Sequence, residues 1–257
     1  MAKKLVLILS FIFSLNLFAS DLIVISDLDD TIKQTNVDNV PTAVYNALFT
    51  QKVFKAMPEV FQTMETYTNG LYVLSNSFNL LRFNIFKLLR KSDINPLEVS
   101  TRNMLRDKDG FKYKYEFITG KMDELNSNAI LIGDDHGKDP QVYDKVIKTH
   151  GEKVKAAYIH LIMNREVPST VTPYITSFDI ALNEYKEQRM NLSQVENLGL
   201  EILEAEDFEK VIPKYAYCPT DNKYWSKFKF SELKNMIDSI SAKIISFCQN
   251  RELKQKN

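Results

Sequence analysis

Four short runs constrain the first two thirds of the chain: LIVIS at 22–26, LYVLS at 71–75, AILIG at 129–133 and AAYIH at 156–160. Each is apolar at nearly every position, not at every second one. A strand built that way needs cover on both faces. LEVST at 97–101 is a further, weaker candidate. Between the runs, apolar residues recur at helical spacing: Leu81, Ile85, Leu88 and Leu89, then Val142 and Val146. Residues 41–68 also read as helical, with Pro58 suited to the first turn of a second piece and Asn69-Gly70 stopping it. Strand and helix in alternation predict an α/β fold with a parallel central sheet covered on both faces.

Such a sheet takes its ligands outside the carboxyl ends of its strands, and charge gathers there. The first run leads straight into Asp27, Asp29, Asp30 and Thr31. The second ends in Ser75 and Asn76, and the fourth in GDDHGKD, which carries Asp134, Asp135 and Asp139. Carboxylates at that density repel one another unless a cation sits among them. A hard cation such as Mg2+ takes carboxylate, water and phosphate oxygens. Asp27, Asp29, Asp134, Asp135 and Asp139 are its candidate ligands. Two of them have a second reading, Asp135 as a helix N-terminal charge and Asp139 as the cap of the next helix. An EF-hand calcium loop is excluded, because Ile32 occupies its glycine position.

Strand alternation places residues 27 and 29 on one side and leaves Asp30 pointing away, without a role. Thr31, Ser75 and Asn76 offer donors to phosphate oxygens. FKYKYEF at 111–117 offers a lysine, Lys112 or Lys114, to offset the negative charge. Together these groups describe phosphoryl transfer, with Asp27 as nucleophile and Asp29 as acid and then base. His136 is a loop histidine and His160 a structural one.

D-x-D-x-T, a serine at the next strand end, a lysine, and G-D-x-x-x-x-D occur here in order. The set resembles the haloacid dehalogenase (HAD) superfamily of phosphatases. More narrowly, SDLDDTIKQT, LSNS, LEVSTRNM, K-x-x-x-I and ILIGDDHGKDPQVY are similar to the actin-patch type of phosphatidate phosphatase catalytic domain, over roughly residues 22–165. The resemblance implies a Mg2+-dependent phosphatase on a Rossmann-like sheet. It implies Asp27 as nucleophile, Asp29 as acid and base, Ser75 on phosphate, Lys114 (with Ile118) as the motif lysine, and Asp134 on the metal. The sequence departs at His136 and Gly137, where the family usually shows glycine and glutamine, and at Asp135, where serine is common. These positions flank the metal site and bear on substrate preference. The substrate class implied is a phosphomonoester, phosphatidate or another phospholipid monoester. The alternatives are a broad-specificity acid phosphatase on soluble esters and an inactive phosphate- or metal-binding module of the same fold. A phosphoacceptor receiver domain carries its aspartates in a different strand order.

Lysine plus arginine equals aspartate plus glutamate at 33 each, and the missing basic surplus argues against a nucleic-acid binder. Lys3 and Lys4, the apolar run Leu5 to Phe18, and Ala19-Ser20 read as a signal peptide. The run is shorter than the roughly 20 residues of a spanning helix. The expectation is an exported, periplasmic or secreted monomer with at most peripheral membrane contact; an uncleaved anchor is the alternative. Three units are expected: a signal peptide at 1–20, a HAD-like core at 21–169 and a C-terminal helical extension at 170–257. In the extension, Phe178, Ala181, Leu182 and Tyr185 share a helix face, SQVE at 193–196 opens a helix, and 231–250 is a long amphipathic helix. Little sequence separates Thr35 from the helix before the second strand, so the cap should be minimal. Export permits a bridge between Cys218 and Cys248. Cys248 also continues the apolar stripe of Leu233, Ile237, Ile240 and Ile244, as a small core residue would.

Overall fold

The computed structural model describes residues 21–36, 52–103 and 105–256. Among these, six strands form one sheet: β1 (Leu22–Asp27), β2 (Leu71–Phe78), β3 (Glu98–Arg102), β4 (Asn128–Asp134), β5 (Val154–His160) and β6 (Thr172–Tyr174). The order is β3-β2-β1-β4-β5-β6, and every neighbouring pair is parallel. Seven α-helices accompany it: α1 (Met57–Glu65), α2 (Arg82–Lys91), α3 (Gly110–Glu124), α4 (Asp139–His150), α5 (Ser177–Lys186), α6 (Leu192–Leu203) and α7 (Lys234–Lys256).

Continuous apolar strands fill two cores. Leu22 and Val24 of β1 face one layer, with Ile130 and Ile132 of β4; Ile23 and Ile25 face the other, with Ala129 and Leu131. Ile118 and Met122 of α3 and Val142, Tyr143 and Val146 of α4 close the second layer. The first is closed by α1 and α2 and by Phe178, Leu198, Ile202, Ile240 and Ile244 from the C-terminal helices. The C-terminal third therefore shares the core of the sheet. Burying each large side chain contributes about 1.5–3 kcal/mol.

Strand order reverses between β1 and β4. The crevice outside the carboxyl ends of these two strands is thus the switch point where such sheets bind ligands. Register brings the ends level: Asp27 lies beside Leu74 of β2, and Ser26 beside Ile132 of β4.

Five strands fall where the apolar runs place them. β6 was not expected, because three residues, TPY, are too short to show a period; it pairs with β5 and carries the sheet past residue 170. In the helical reading of 41–68, the described part begins only at Met57. Val53 instead bridges Lys33, and Ala56 turns into the helix at φ 62°. Residues 37–51, on which the rest of that reading and much of the minimal-cap expectation fall, lie outside the described residues. So do residues 1–20, the expected signal peptide. The helix expected to open at SQVE opens earlier. Asn191 is its cap and forms the capping box with Gln194. Among the described residues, no helix is long and apolar enough to cross a membrane.

Cys218 and Cys248 are joined, with Cα atoms 5.4 Å apart. Cys248 meets both expectations at once, being fully buried in the apolar stripe and bridged. A crosslink across 30 residues stabilises by about 3–4 kcal/mol in the chain-entropy account.

Candidate active site

β1 ends at Asp27, and the chain then turns sharply. The amides of Ile32 and Lys33 both donate to the carbonyl of Leu28, and the amide of Asp30 donates to the carbonyl of Lys33. Asp30 sits in the left-handed region at φ 56°, which aspartate tolerates better than most residues. Its carboxylate accepts from the amides of Thr35 (2.9 Å) and Asn36 (3.0 Å) and from the Tyr215 hydroxyl (2.7 Å). Asp30 thus has a structural role that strand alternation did not reveal, because alternation ends with the strand. It ties the loop after the nucleophile candidate back on itself.

That turn sends the two flanking aspartates to different partners. Asp27 is buried, and its Oδ1 accepts from Lys114 Nζ at 2.6 Å. Lys114 also donates to Asp139 Oδ1 at 2.5 Å. Carboxylate oxygens of Asp27, Asp134 and Asp139 lie within 4.8 Å of one another, all buried. Asp29 stands apart. Its Oδ1 accepts from the Thr35 hydroxyl at 2.7 Å and its Oδ2 from the hydroxyls of Ser75 and Ser77, each at 3.1 Å.

Asp134 is oriented by main chain. Its Oδ1 accepts from the amides of His136 (2.7 Å) and Gly137 (3.2 Å), and Thr31 Oγ1 lies 3.5 Å from its Oδ2. Any residue but proline supplies an amide, so the departures at His136 and Gly137 leave this support intact. Asp135 turns away. Its carboxylate accepts from the amides of Ile162, Met163 and Arg165, each at 2.8 Å, and fixes the loop after β5. Its lone pairs are used there, not among the clustered carboxylates. Thr31 is fully buried, with its hydroxyl toward Asp134. Ser75 is buried at the end of β2, while Asn76 is exposed. Lys114 is buried, as is Ile118, whereas the Lys112 side chain is 70% exposed and lies 3.6 Å from Glu116; of the two lysines, Lys114 is the one that meets the buried carboxylates.

The electrostatics are unbalanced. Burial pushes Asp27 up to about 8, against the pull of Lys114 and with help from Asp139 and Asp29. Burial likewise raises Asp134, followed by Asp139 and Asp27. Burial would lower Lys114, yet Asp139, Asp27 and Asp134 hold it above the usual lysine range. One ammonium stays charged while three carboxylates compete for it, so without a second cation the cluster keeps a proton near neutral pH. Asp139 Oδ2 is buried without a hydrogen-bond partner. Oxygen donors, excess negative charge and an orphaned carboxylate oxygen all fit a hard divalent cation.

The raised carboxyl has a sign. Between the ordinary carboxylate range and about 8 the folded, metal-free cluster is expected to hold a proton that the unfolded chain has released. Stability should therefore decline as pH rises through that window. Thermal melts in chelator at about pH 5 and about pH 8 should show the lower Tm at the higher pH, and added Mg2+ should narrow the gap. Equal Tm values in chelator would remove this picture of the cluster.

Over residues 22–161, a little more than half of its length, the chain matches the family model described as phosphatidate phosphatase APP1, catalytic domain. The chain belongs to this family. It is a phosphatase, built on an α/β fold with a parallel central sheet. No curated protein matches it. Among solved structures, a phosphoserine phosphatase from T. onnurineus in complex with NDSB-201 is similar at 12% identity and a TM-score of 0.39, over 70% of this chain and 99% of that one.

In this APP1-family chain, three partners of the site went unread in the sequence. Ser77 had a signal, since it lies two residues beyond Ser75 and alternation puts both on one face. Thr35 reaches Asp29 only because the loop folds back. Tyr215 lies 185 residues from Asp30 and has no local signal at all. Gly133, just before Asp134, was quoted but given no reason. A Cβ there would lie 2.5 Å from Asp139 Oδ2 and 2.7 Å from the Tyr143 hydroxyl, which itself donates to the Ile132 carbonyl. Gly133→Ala should cost about 1–3 kcal/mol through overpacking and, by displacing Asp139, weaken the binding of a divalent cation by these carboxylates. Urea unfolding and calorimetric titration measure both. Gly137→Ala, with nothing within 4 Å of the added carbon, should change neither.

Proposed function

We propose that this APP1-family phosphatase is an exported, Mg2+-dependent phosphomonoester hydrolase that works through an aspartyl-phosphate on Asp27. The observation that carries the reading is the buried group of Asp27, Lys114, Asp139 and Asp134 at the switch point, beside an Asp29 held by hydroxyls. When bound, Mg2+ held by Asp27 and Asp134, with Asp139 alongside, would offset the charge of phosphate oxygens against the carboxylates. The Asp27 carboxylate attacks phosphorus, and the bond to the leaving oxygen breaks as Asp29 gives that oxygen its proton. Asp29, now ionised, takes a proton from the water that attacks the acyl phosphate, which frees inorganic phosphate and Asp27. Ser75 and Ser77 keep Asp29 in place. Lys114 holds Asp27 in one rotamer and neutralises part of the charge that phosphate brings.

The substrate class we favour is phosphatidate or another phospholipid monoester. Its support is the family's description. Support for export comes from the Cys218–Cys248 bridge, which persists in oxidising compartments. Purified protein with Mg2+ should release phosphate from phosphatidate in mixed micelles faster than from nucleotides, sugar phosphates or phosphopeptides, and chelator should stop it. Turnover of soluble esters in preference to phosphatidate would shift the reading to a broad-specificity phosphatase. No turnover of any ester would shift it to an inactive module.

A further inference from the structure

Large apolar side chains are exposed beside the active-site edge. Phe78 ends β2 and Leu80 and Phe83 follow it, at 54%, 92% and 77% exposure, and Leu105 follows the end of β3 at 90%. These two stretches are neighbours: Phe78 pairs with Arg102 in the β2–β3 register, and the Thr101 hydroxyl meets the Asn79 side chain. Ser75 and Ser77, which hold Asp29, lie on the same strand end. Cations accompany the apolar tips. Arg82, Arg102, Arg106 and Lys108 lie in these stretches against Asp107 and Asp109 only. Asp107 accepts from Arg106, and Asp109 caps α3 through the amide of Phe111. The chain as a whole has no net charge, so the surplus is local.

Separate apolar tips on a short turn, with arginines beside them, match a lipid surface better than a protein groove. Apolar tips enter the boundary between headgroups and acyl chains, and cations pair with anionic headgroups. We propose that residues 78–83, 102–103 and 105–108 form a docking edge for an anionic lipid surface. Leu80, Phe83 and Leu105 insert, and Arg82, Arg106 and Lys108 lie on the headgroups. The proposal rests on the phosphatase reading only for the consequence that docking brings the site to a lipid phosphomonoester; the docking itself is independent of turnover.

Trp225 is the only tryptophan and is 1% exposed, so Leu80→Trp adds a probe against a constant background. Its emission should shift to the blue, and be quenched by brominated acyl chains, when vesicles of phosphatidylcholine with phosphatidylglycerol are added. Phosphatidylcholine alone and high salt should weaken the effect. Leu125→Trp, placed where α3 leads back to the start of β4 at the opposite edge of the sheet, should stay unquenched. In the Leu80→Trp chain, Arg82→Glu with Arg106→Glu should raise the lipid concentration needed by about tenfold or more. The proposal is overturned if Leu80→Trp emission ignores the vesicles, if both probes are quenched alike, or if charge reversal leaves the titration unchanged. Failure of phosphate release with intact quenching would instead remove the phosphatase reading and leave the docking edge standing.

Discussion

Asp27→Asn is expected to lower kcat at least about a thousandfold while leaving the fold intact. An amide has nearly the shape of the carboxylate but is no nucleophile, so no acyl phosphate can form. The structural cost is small for a specific reason. Asp27 is one of three clustered buried carboxylates, two of which share Lys114, and replacing it by an amide removes one source of repulsion. Lys114 keeps its contact with Asp139. The metal-free variant should therefore melt at or above the Tm of the unaltered protein, and lose less stability as pH rises toward 8, the remaining loss coming from Asp134, which burial also raises. A variant that lost activity only by unfolding would contradict this assignment.

Lys114→Met is the opposite experiment and should be the most destabilising single change at the site. Methionine fills similar length but leaves Asp27 and Asp139 buried together without their cation. Breaking a buried pair from one side costs about 3–5 kcal/mol. Added Mg2+ should recover part of that, because a second cation enters the same carboxylates. Turnover should stay low even with saturating Mg2+, since Lys114 also fixes the Asp27 rotamer. Lys112→Met, two residues away on an exposed position, should change stability by less than about 0.5 kcal/mol and leave turnover alone. Urea unfolding of both variants, with and without Mg2+, measures the contrast. Equal stability of the two variants in chelator would show that Lys114 does not hold the cluster together.

Legibility followed range of interaction. The sheet was readable because β1, β2, β4 and β5 are covered on both faces, which leaves continuous apolar runs. β6 was not, because its placement comes from pairing with β5. Asp27, Asp134 and Asp139 were readable as a group, since strand ends of one parallel sheet converge. For their neighbours Asp29, Asp30, Thr31 and Asp135, strand alternation and proximity in sequence give no hydrogen-bond partners, because both rules stop at the strand end. The turn at Leu28–Lys33 sends Asp29 to Ser75 and Ser77, Thr31 to Asp134 and Asp30 to Tyr215. Asp135 is drawn to three amides beyond β5. These destinations depend on loops that meet only in the folded chain, and no local pattern encodes them.

The nucleophile is the central claim. Protein mixed with Mg2+ and a phosphomonoester, quenched in acid and treated with borohydride, tests it directly, because borohydride reduces an acyl phosphate to the alcohol. Mass spectrometry should find residue 27 converted to homoserine in the unaltered protein and no such conversion anywhere in Asp27→Asn. Conversion at another aspartate, or phosphate release by Asp27→Asn at the unaltered rate, would contradict the account.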